Sequence, residues 1–523
     1  MGVQQIMNGF SPLTLLMLLP LFGGCVLLGL EKHQRAFTRH LAFGVSLLTL
    51  ALALFIGSQF DSTSGELQMV ERHAWMPSLG VEYFVGVDGL SLVLLLLTAL
   101  LVPMSMLAAW KLEERTSMFF ALILFLQGGL FGTFTALNFI HWFLFWELSL
   151  VPAFFLVKLW GGPERGKAAI QFFVYTMVGS VTLLLAFLGM YLAVGTFDFI
   201  KLAELAKSGE LLSRMSLNLG WYELKKEQLG LVIAFGVFLG LAVKVPLMPF
   251  HGWLPRTYST APAAVTMLLT GAMSKMGVYG FLRIFLPIFQ EQIAFVQNWL
   301  LWLAIATIVM SALAASAQTD LKKLLAYSSI NHLGYCLLGI FATASSVNGH
   351  GWTVEASAAL GGTVLQMFNH GITAALLFCF VSYLEERGAG ETNLSRFGGL
   401  RAAMPVFCGL MGVATFASLG LPGLSGFVGE FLIFKGTFGL AAWAAVLATP
   451  GLLITAIFLL RMYQQIFYGP LPSTHVGWRD LDIRERFTVL PALLLVLILG
   501  VYPQLLMGLI NPTVTRLVEG LAR

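Results

Sequence analysis

Segment after segment of this chain runs for the ~20 residues that a helix needs to cross ~30 Å of hydrocarbon, with scarcely a charge in any of them. That property restricts the fold more than any motif does. A globule wrapped in uncharged apolar helices would have no surface fit for water, whereas a bilayer makes no such demand. The composition agrees: 58% of the 523 residues are hydrophobic and 11% are charged, against about 25% charged in a soluble domain. The sequence therefore predicts an all-α polytopic membrane protein.

Fourteen segments satisfy the length rule, near 11–30, 41–58, 84–109, 117–137, 139–159, 168–195, 228–251, 261–287, 297–317, 324–346, 355–385, 404–439, 441–468 and 487–510. The first, Leu13–Leu30, has no basic residue before it and Lys32 after it. That order is the reverse of a secretory signal, so the segment reads as a retained helix. Lys and Arg gather in alternate loops: seventeen lie in one set, from Lys32 to Arg486, and eight in the other. The positive-inside rule makes the first set cytoplasmic, and fourteen crossings then put both termini outside, on the periplasmic side of a bacterial inner membrane; a thylakoid is the alternative. Five of the eight fall in Phe197–Glu227, where a short amphipathic helix on the outer face is expected.

Five basic residues remain inside spans: Lys244, Lys275, Arg283, Lys435 and Arg461. Lys244 and Lys275 fall ~20–24 Å along their helices, too deep to snorkel easily. The other three lie nearer the ends and can reach the interface. Glu147, His332, His370 and Glu430 share the deep level. An intramembrane charge costs ~3 kcal/mol on insertion scales and marks a candidate functional site. Single membrane histidines also serve as packing residues, and Glu147 can be read as a structural counter-ion of Lys244.

Prolines coincide with two of these charges. "KVPLMP" breaks segment 228–251 at Pro246 and Pro249, beside Lys244, and "GLPGLSGFVGE" breaks segment 404–439 at Pro422, near Glu430. Paired broken spans in corresponding places suggest internal repeats with ion sites at the breaks; ordinary proline kinks are the plainer alternative. The chemistry these groups permit is proton handling. Lysine loses its proton on desolvation and regains it beside a carboxylate, and histidine titrates near neutrality. His251, beyond the first break, reads as an entrance or packing residue. Cys25, Cys336, Cys379 and Cys408 stand singly, which argues against zinc and iron–sulfur sites. No nucleotide-binding, P-loop, haem or triad pattern is present.

"GVDGLSL" (86–92), "FWELSLVP" (145–152), "KVPLMPFHGWLP" (244–255), "KMGVYGFLR" (275–283), "DLKKLLAYSSINHLGY" (320–335) and "GLPGLSGFVGEF" (420–431) together resemble the proton-translocating antiporter-like subunits of respiratory complex I. Multisubunit cation/proton antiporters share most of these motifs. Glutamate at 430, where lysine is usual in sister subunits and antiporters, and an end soon after the last span single out one of three paralogous subunits. The resemblance implies two inverted five-helix repeats, 111–290 and 291–470, each with one broken helix, between flanking helices in 1–110 and 471–523. It makes Glu147 the partner of Lys244, Lys275 and His332 linking residues, His370 a further relay and Glu430 the exit-side group. It places NADH, flavin, iron–sulfur clusters and quinone in partner subunits, with no cofactor in this chain, and expects the other membrane-arm subunits and lipids as partners. A cation/proton antiporter subunit, a hydrogenase-like or CO2-uptake membrane complex and a structural scaffold are the competing readings.

Overall fold

The computed structural model describes residues 11–30, 34–218, 223–344 and 353–521. Helix α1, Pro12–Leu28, starts beneath Glu71, whose carboxylate accepts from the Leu13 amide at 3.0 Å and from the Thr14 hydroxyl. This carboxylate satisfies donors that a helix N-terminus leaves unpaired. Helix α2, Arg35–Gln59, follows. The chain then forms an antiparallel hairpin of β1, Gln68–Met76, and β2, Val81–Val87. The hairpin corrects the expected start of the third span at 84: residues 84–87 belong to a strand. The span itself is α3, Gly89–Ala108, which Asp88 caps by accepting from the Ser91 amide at 3.0 Å.

Helices α4, Thr116–Thr135, α5, Phe139–Trp160, and α6, Arg165–Val194, come next. The expected amphipathic helix is α7, Phe199–Lys207, capped by Asp198. Helix α8, Lys226–Lys244, ends at its lysine, and the chain resumes helix in α9, Trp253–Thr260. The next rod, α10, passes through Ala263–Leu268, Lys275–Gly280 and Leu286–Ile288, with π-helical turns at Leu269–Met273 and Phe281–Phe285 on either side of its lysine. Then come α11, Gln290–Ser316, α12, Leu321–Ala342, and α13, Thr353–Arg387. Helix α14, Pro405–Ser418, is separated by a short loop from α15, Ser425–Phe467, which is non-helical at Ala441. Helices α16, Ile483–Val501, and α17, Gln504–Leu521, close the fold.

Among the described residues, ten helices are long and apolar enough to cross a membrane, and α16 with α17, bent by 68°, forms one further candidate. The difference from the fourteen expected segments has local causes. Helices α1 and α14 are short apolar helices, and the π-helical turns divide α10 into pieces. Two expected segments merge in α15 across Ala441. The expected last span stops at Val501, because Pro503 forces the chain to turn before α17.

Loops grouped by charge share an end of the bundle. Arg256 pairs with Glu164 at 2.9 Å, Lys322 with Glu385 at 2.9 Å, and Arg387 with Glu485 at 2.6 Å. On the hairpin side, Arg72 pairs with Asp198 at 2.9 Å. Helix α13 lies at the centre, its apolar window wholly buried, whereas α2 buries only 28% of its window. A helix buried on every side can carry polar groups that no lipid touches, and α13 holds Gln366, Asn369 and His370 in this way.

Helix α17 packs on the start of α3. The Thr513 hydroxyl accepts from the Gly89 amide at 2.9 Å, and a Cβ on Gly89 would stand 1.9 Å from the Leu509 carbonyl oxygen. Gly89→Ala should therefore cost about 1–3 kcal/mol, the usual range for overpacking, seen as a lower thermal-unfolding midpoint in detergent. Gly508→Ala, where a Cβ meets nothing within 4 Å, should leave that midpoint unchanged or higher. Equal effects would remove the packing argument.

Candidate functional site

The first break is set by Pro246 and Pro249, which supply no backbone N–H and cannot extend α8 past Lys244. The carbonyls released there find other donors. Trp253 donates its indole N–H to Val243 O at 3.0 Å, and the Leu247 amide reaches Ala242 O at 2.9 Å. The Met248 amide donates to the Thr307 hydroxyl at 3.1 Å. Val245, Pro246 and Leu247 are buried and Pro249 and Gly252 exposed, so protein covers the irregular backbone at its start, beside Lys244.

Lys244 is buried, with Nζ 4.7 Å from the centre of the Trp146 ring, a cation–π contact. Trp146 is fixed in turn by its N–H bond to Ser180 Oγ at 3.0 Å. Glu147 is only half buried, and its Oε1 has no hydrogen-bond partner among the described residues. No ion pair joins it to Lys244. The contact that Lys244 makes here is with the face of Trp146, the residue beside Glu147 in the chain.

Lys275, His332, His370 and Glu430 form a continuous cluster. Lys275 Nζ lies 2.8 Å from His370 Nδ1 and donates to Thr270 O at 2.5 Å; Ser274 Oγ is 3.3 Å away. A bond between an amine and an imidazole nitrogen requires one of the two to offer a lone pair, so the pair shares a proton and is not doubly charged. The rings of His370 and His332 lie 5.0 Å apart. His332 Nδ1 bonds Glu430 Oε1 at 3.0 Å, and Ser418 Oγ lies 3.4 Å from its Nε2. Gln366 donates to the same glutamate oxygen at 3.0 Å. The spatial order therefore puts His370 next to Lys275, ahead of His332, where the motifs alone made His332 a linking residue and His370 a further one.

Between the two halves of the site, a cavity of about 10 Å3 is lined by Lys244, Tyr258, Ser274 and apolar neighbours. That is close to the smallest space that admits one water. His251 is half buried near Tyr327, with ring centres 6.3 Å apart, away from the cluster. Lys435 and Arg461 lie on exposed faces. Arg283 does not reach for the interface: it pairs with Asp88 at 2.6 Å, largely buried. Asp88 went unread as a site residue because a helix-capping aspartate is an ordinary local device. Gln366, Ser418, Ser274 and Trp146 carry no charge, so their depth gave no signal. Gln366 alone leaves a trace, one helical turn before His370. Among the described residues, no group of three or more His, Cys, Asp or Glu could hold a metal ion.

The chain matches known proteins along most of its length. Residues 136–456 match the family model described as NADH:quinone oxidoreductase/Mrp antiporter, TM, and residues 15–133 match NADH-ubiquinone oxidoreductase chain 4, amino terminus. The chain belongs to the NADH:quinone oxidoreductase/Mrp antiporter transmembrane family. Within that family it is 35% identical to NADH-quinone oxidoreductase subunit M of Rhodobacter capsulatus, over 97% of this chain and 96% of that protein. It is 37% identical to NAD(P)H-quinone oxidoreductase chain 4 1 of a Synechococcus strain, over 95% and 90%. Among solved structures, a chain of respiratory complex I from Thermus thermophilus superposes with a TM-score of 0.83 at 30% identity, covering 98% of this chain and all of that one. A chain of the Mrp complex from a Dietzia species shares the fold, with a TM-score of 0.82 at 21% identity over 98% of this chain and 99% of that one.

The second break shapes the cluster directly. Gly420 has a φ of +79°, and a Cβ there would lie 2.8 Å from Glu430 Oε2; Gly423, at φ +91°, has nothing within 4 Å of its own Cβ position. Alanine at either position bears a left-handed strain of ~1–2 kcal/mol, but only Gly420→Ala displaces the carboxylate. The carboxyl infrared band assigned through Glu430→Gln should shift in Gly420→Ala and stay in place in Gly423→Ala. A shift common to both would mean that the loop acts as a whole.

Proposed function

We propose that this chain is a proton-translocating membrane-arm subunit of an NADH–quinone oxidoreductase, of the kind its subunit M relatives represent. The observation that carries the reading is the unbroken buried contact Lys275–His370–His332–Glu430, with a second buried lysine, Lys244, across a water-sized gap. Groups so placed can hold and pass protons. The full-length likeness to subunit M sequences supports a redox-driven complex over a free-standing antiporter, for which the Mrp resemblance supports the fold alone. NADH, flavin, iron–sulfur clusters and quinone belong, on this reading, to partner subunits, and the paralogous antiporter-like subunits and lipids surround this chain.

The finer architecture belongs to the same proposal: fourteen crossings and two inverted repeats, 111–290 and 291–470, between flanking segments 1–110 and 471–523. The hairpin side is the outer side of a bacterial inner membrane, because the basic loops lie at the opposite end. Protons enter from the basic side through the break at 245–252 and reach Lys244. Approach of Glu147 to ~4 Å holds the ammonium by about 4 kcal/mol at an effective dielectric of ~20, and retreat to ~8 Å halves that hold. The released proton crosses the gap beside Tyr258 and Ser274 to Lys275, passes His370 and His332, and leaves from Glu430.

Lys244→Ala, in membranes where the complex assembles, should abolish NADH-driven proton uptake and much of the coupled electron transfer. Glu147→Gln should weaken pumping, and Glu147→Asp should retain part of it. An assembled Lys244→Ala complex that pumps at the wild-type rate refutes the role of Lys244. Purification with antiporter subunits and no NADH- or quinone-handling partner overturns the redox reading.

A further inference from the structure

The Asp88–Arg283 pair lies on none of the steps above, yet its surroundings are those of a gate. Arg283 sits on α10, eight residues beyond Lys275. Its Nη2 donates to Asp88 Oδ2 at 2.6 Å and lies 3.4 Å from Ser91 Oγ, and its Nε donates to the Tyr279 hydroxyl at 3.3 Å. Tyr279 is fully buried and donates to Phe134 O at 3.0 Å, with Ser91 Oγ 3.3 Å away. Lys275 and Tyr279 share one face of the regular turn Lys275–Gly280, ~6 Å apart along the axis.

On the other flank of the pair, a cavity of about 610 Å3 opens at the hairpin side, lined by Asp88, Arg283, Glu66, Lys207, Gln290 and Arg516 among others. A nearly buried ion pair thus separates this cavity from a hydroxyl one turn away from a proton-carrying lysine. Docking α3 against α10 does not by itself call for a large open cavity above the pair. Nor does it call for a fully buried tyrosine hydroxyl below, bonded to the same arginine.

We propose that Asp88 and Arg283 gate a second outlet, by which a proton on Lys275 leaves through the Tyr279 hydroxyl to the hairpin-side cavity. This rests on the proton-translocating reading above. With the pair closed, as here, the Asp88 carboxylate is held by Arg283 and takes up no proton. When Arg283 swings into the cavity, Tyr279 passes its hydroxyl proton to Asp88 and takes one from the Lys275 ammonium, which becomes the neutral amine. Asp88 then gives its proton to water in the cavity, and re-pairing with Arg283 closes the route.

The test uses vesicles holding the assembled complex, with assembly checked on native gels. Without NADH, Arg283→Gln, which opens the pair but keeps the Asp88 carboxylate, should raise passive proton leak about tenfold, the effect of a 1.4 kcal/mol lower barrier. The swap Asp88→Arg with Arg283→Asp should bring the leak back toward wild type, and adding Tyr279→Phe or Asp88→Asn to Arg283→Gln should abolish it. An Arg283→Gln complex that assembles without leaking, or a leak indifferent to Tyr279→Phe, overturns the gate and leaves a docking contact. Should Arg283→Gln fail to assemble, the near-isosteric Tyr279→Phe alone decides: protons pumped per electron fall if the outlet operates, and an unchanged ratio overturns it. Failure of the underlying reading looks different, because wild-type vesicles would then not pump at all.

Discussion

An ionisable side chain in hydrocarbon needs polar company, and the shape of this protein follows from supplying it. An intact helix keeps its backbone groups to itself, so it offers a mid-membrane lysine or glutamate nothing beyond its own side chains. The chain solves this twice by ending a helix at mid-depth, after Lys244 and again before Ser425. Other residues meet backbone groups beside each break: Trp253 and Thr307 at the first, Asn369 at the second, donating to Ser425 O at 2.6 Å. The charges themselves are met by side chains, Lys244 by the Trp146 ring and Glu430 by His332 and Gln366.

The two halves of the site are built differently. At Glu430 the carboxylate bonds His332 and accepts from Gln366, and a ring contact of 5.0 Å carries the cluster on to His370 and Lys275. Hydrogen bonds in so dry a place hold these side chains in fixed geometry, although Gln366 Oε1 and Asn369 Oδ1 lack partners among the described residues. Around Lys244 the company is aromatic, the nearest carboxylate stands off, and one of its oxygens lacks a partner among the described residues. An unpartnered buried oxygen costs about 1–3 kcal/mol, so both ends keep a group with a reason to move.

Much of this was legible in the residues. Depth along an apolar run singled out Glu147, Lys244, Lys275, His332, His370 and Glu430 from the arithmetic of helix rise alone, and proline placed both breaks. The hairpin at 68–87 was missed because "EYFVGV" is apolar enough to read as the start of the span that follows. Asp88 was missed because it caps a helix, and Gln366 and Ser418 because an uncharged polar residue carries no penalty large enough to mark it. The position of Arg283 near a segment end suggested an interface group, and only the partner 195 residues away revealed the buried pair.

What the sequence by itself determined is the inventory and an expected level: a membrane chain, six ionisable groups that helix rise assigns to a similar depth, and two interruptions near two of them. Helix rise converts residue number into depth, so one dimension comes directly from the string of letters. The other two dimensions came only with the tertiary structure. It decided that His370 lies between Lys275 and His332, that the Trp146 ring lies against Lys244 where Glu147 was expected, and that Asp88 meets Arg283 beneath an open cavity. These depend on how helices rotate and which faces they share, and that is settled by packing between segments far apart in the chain.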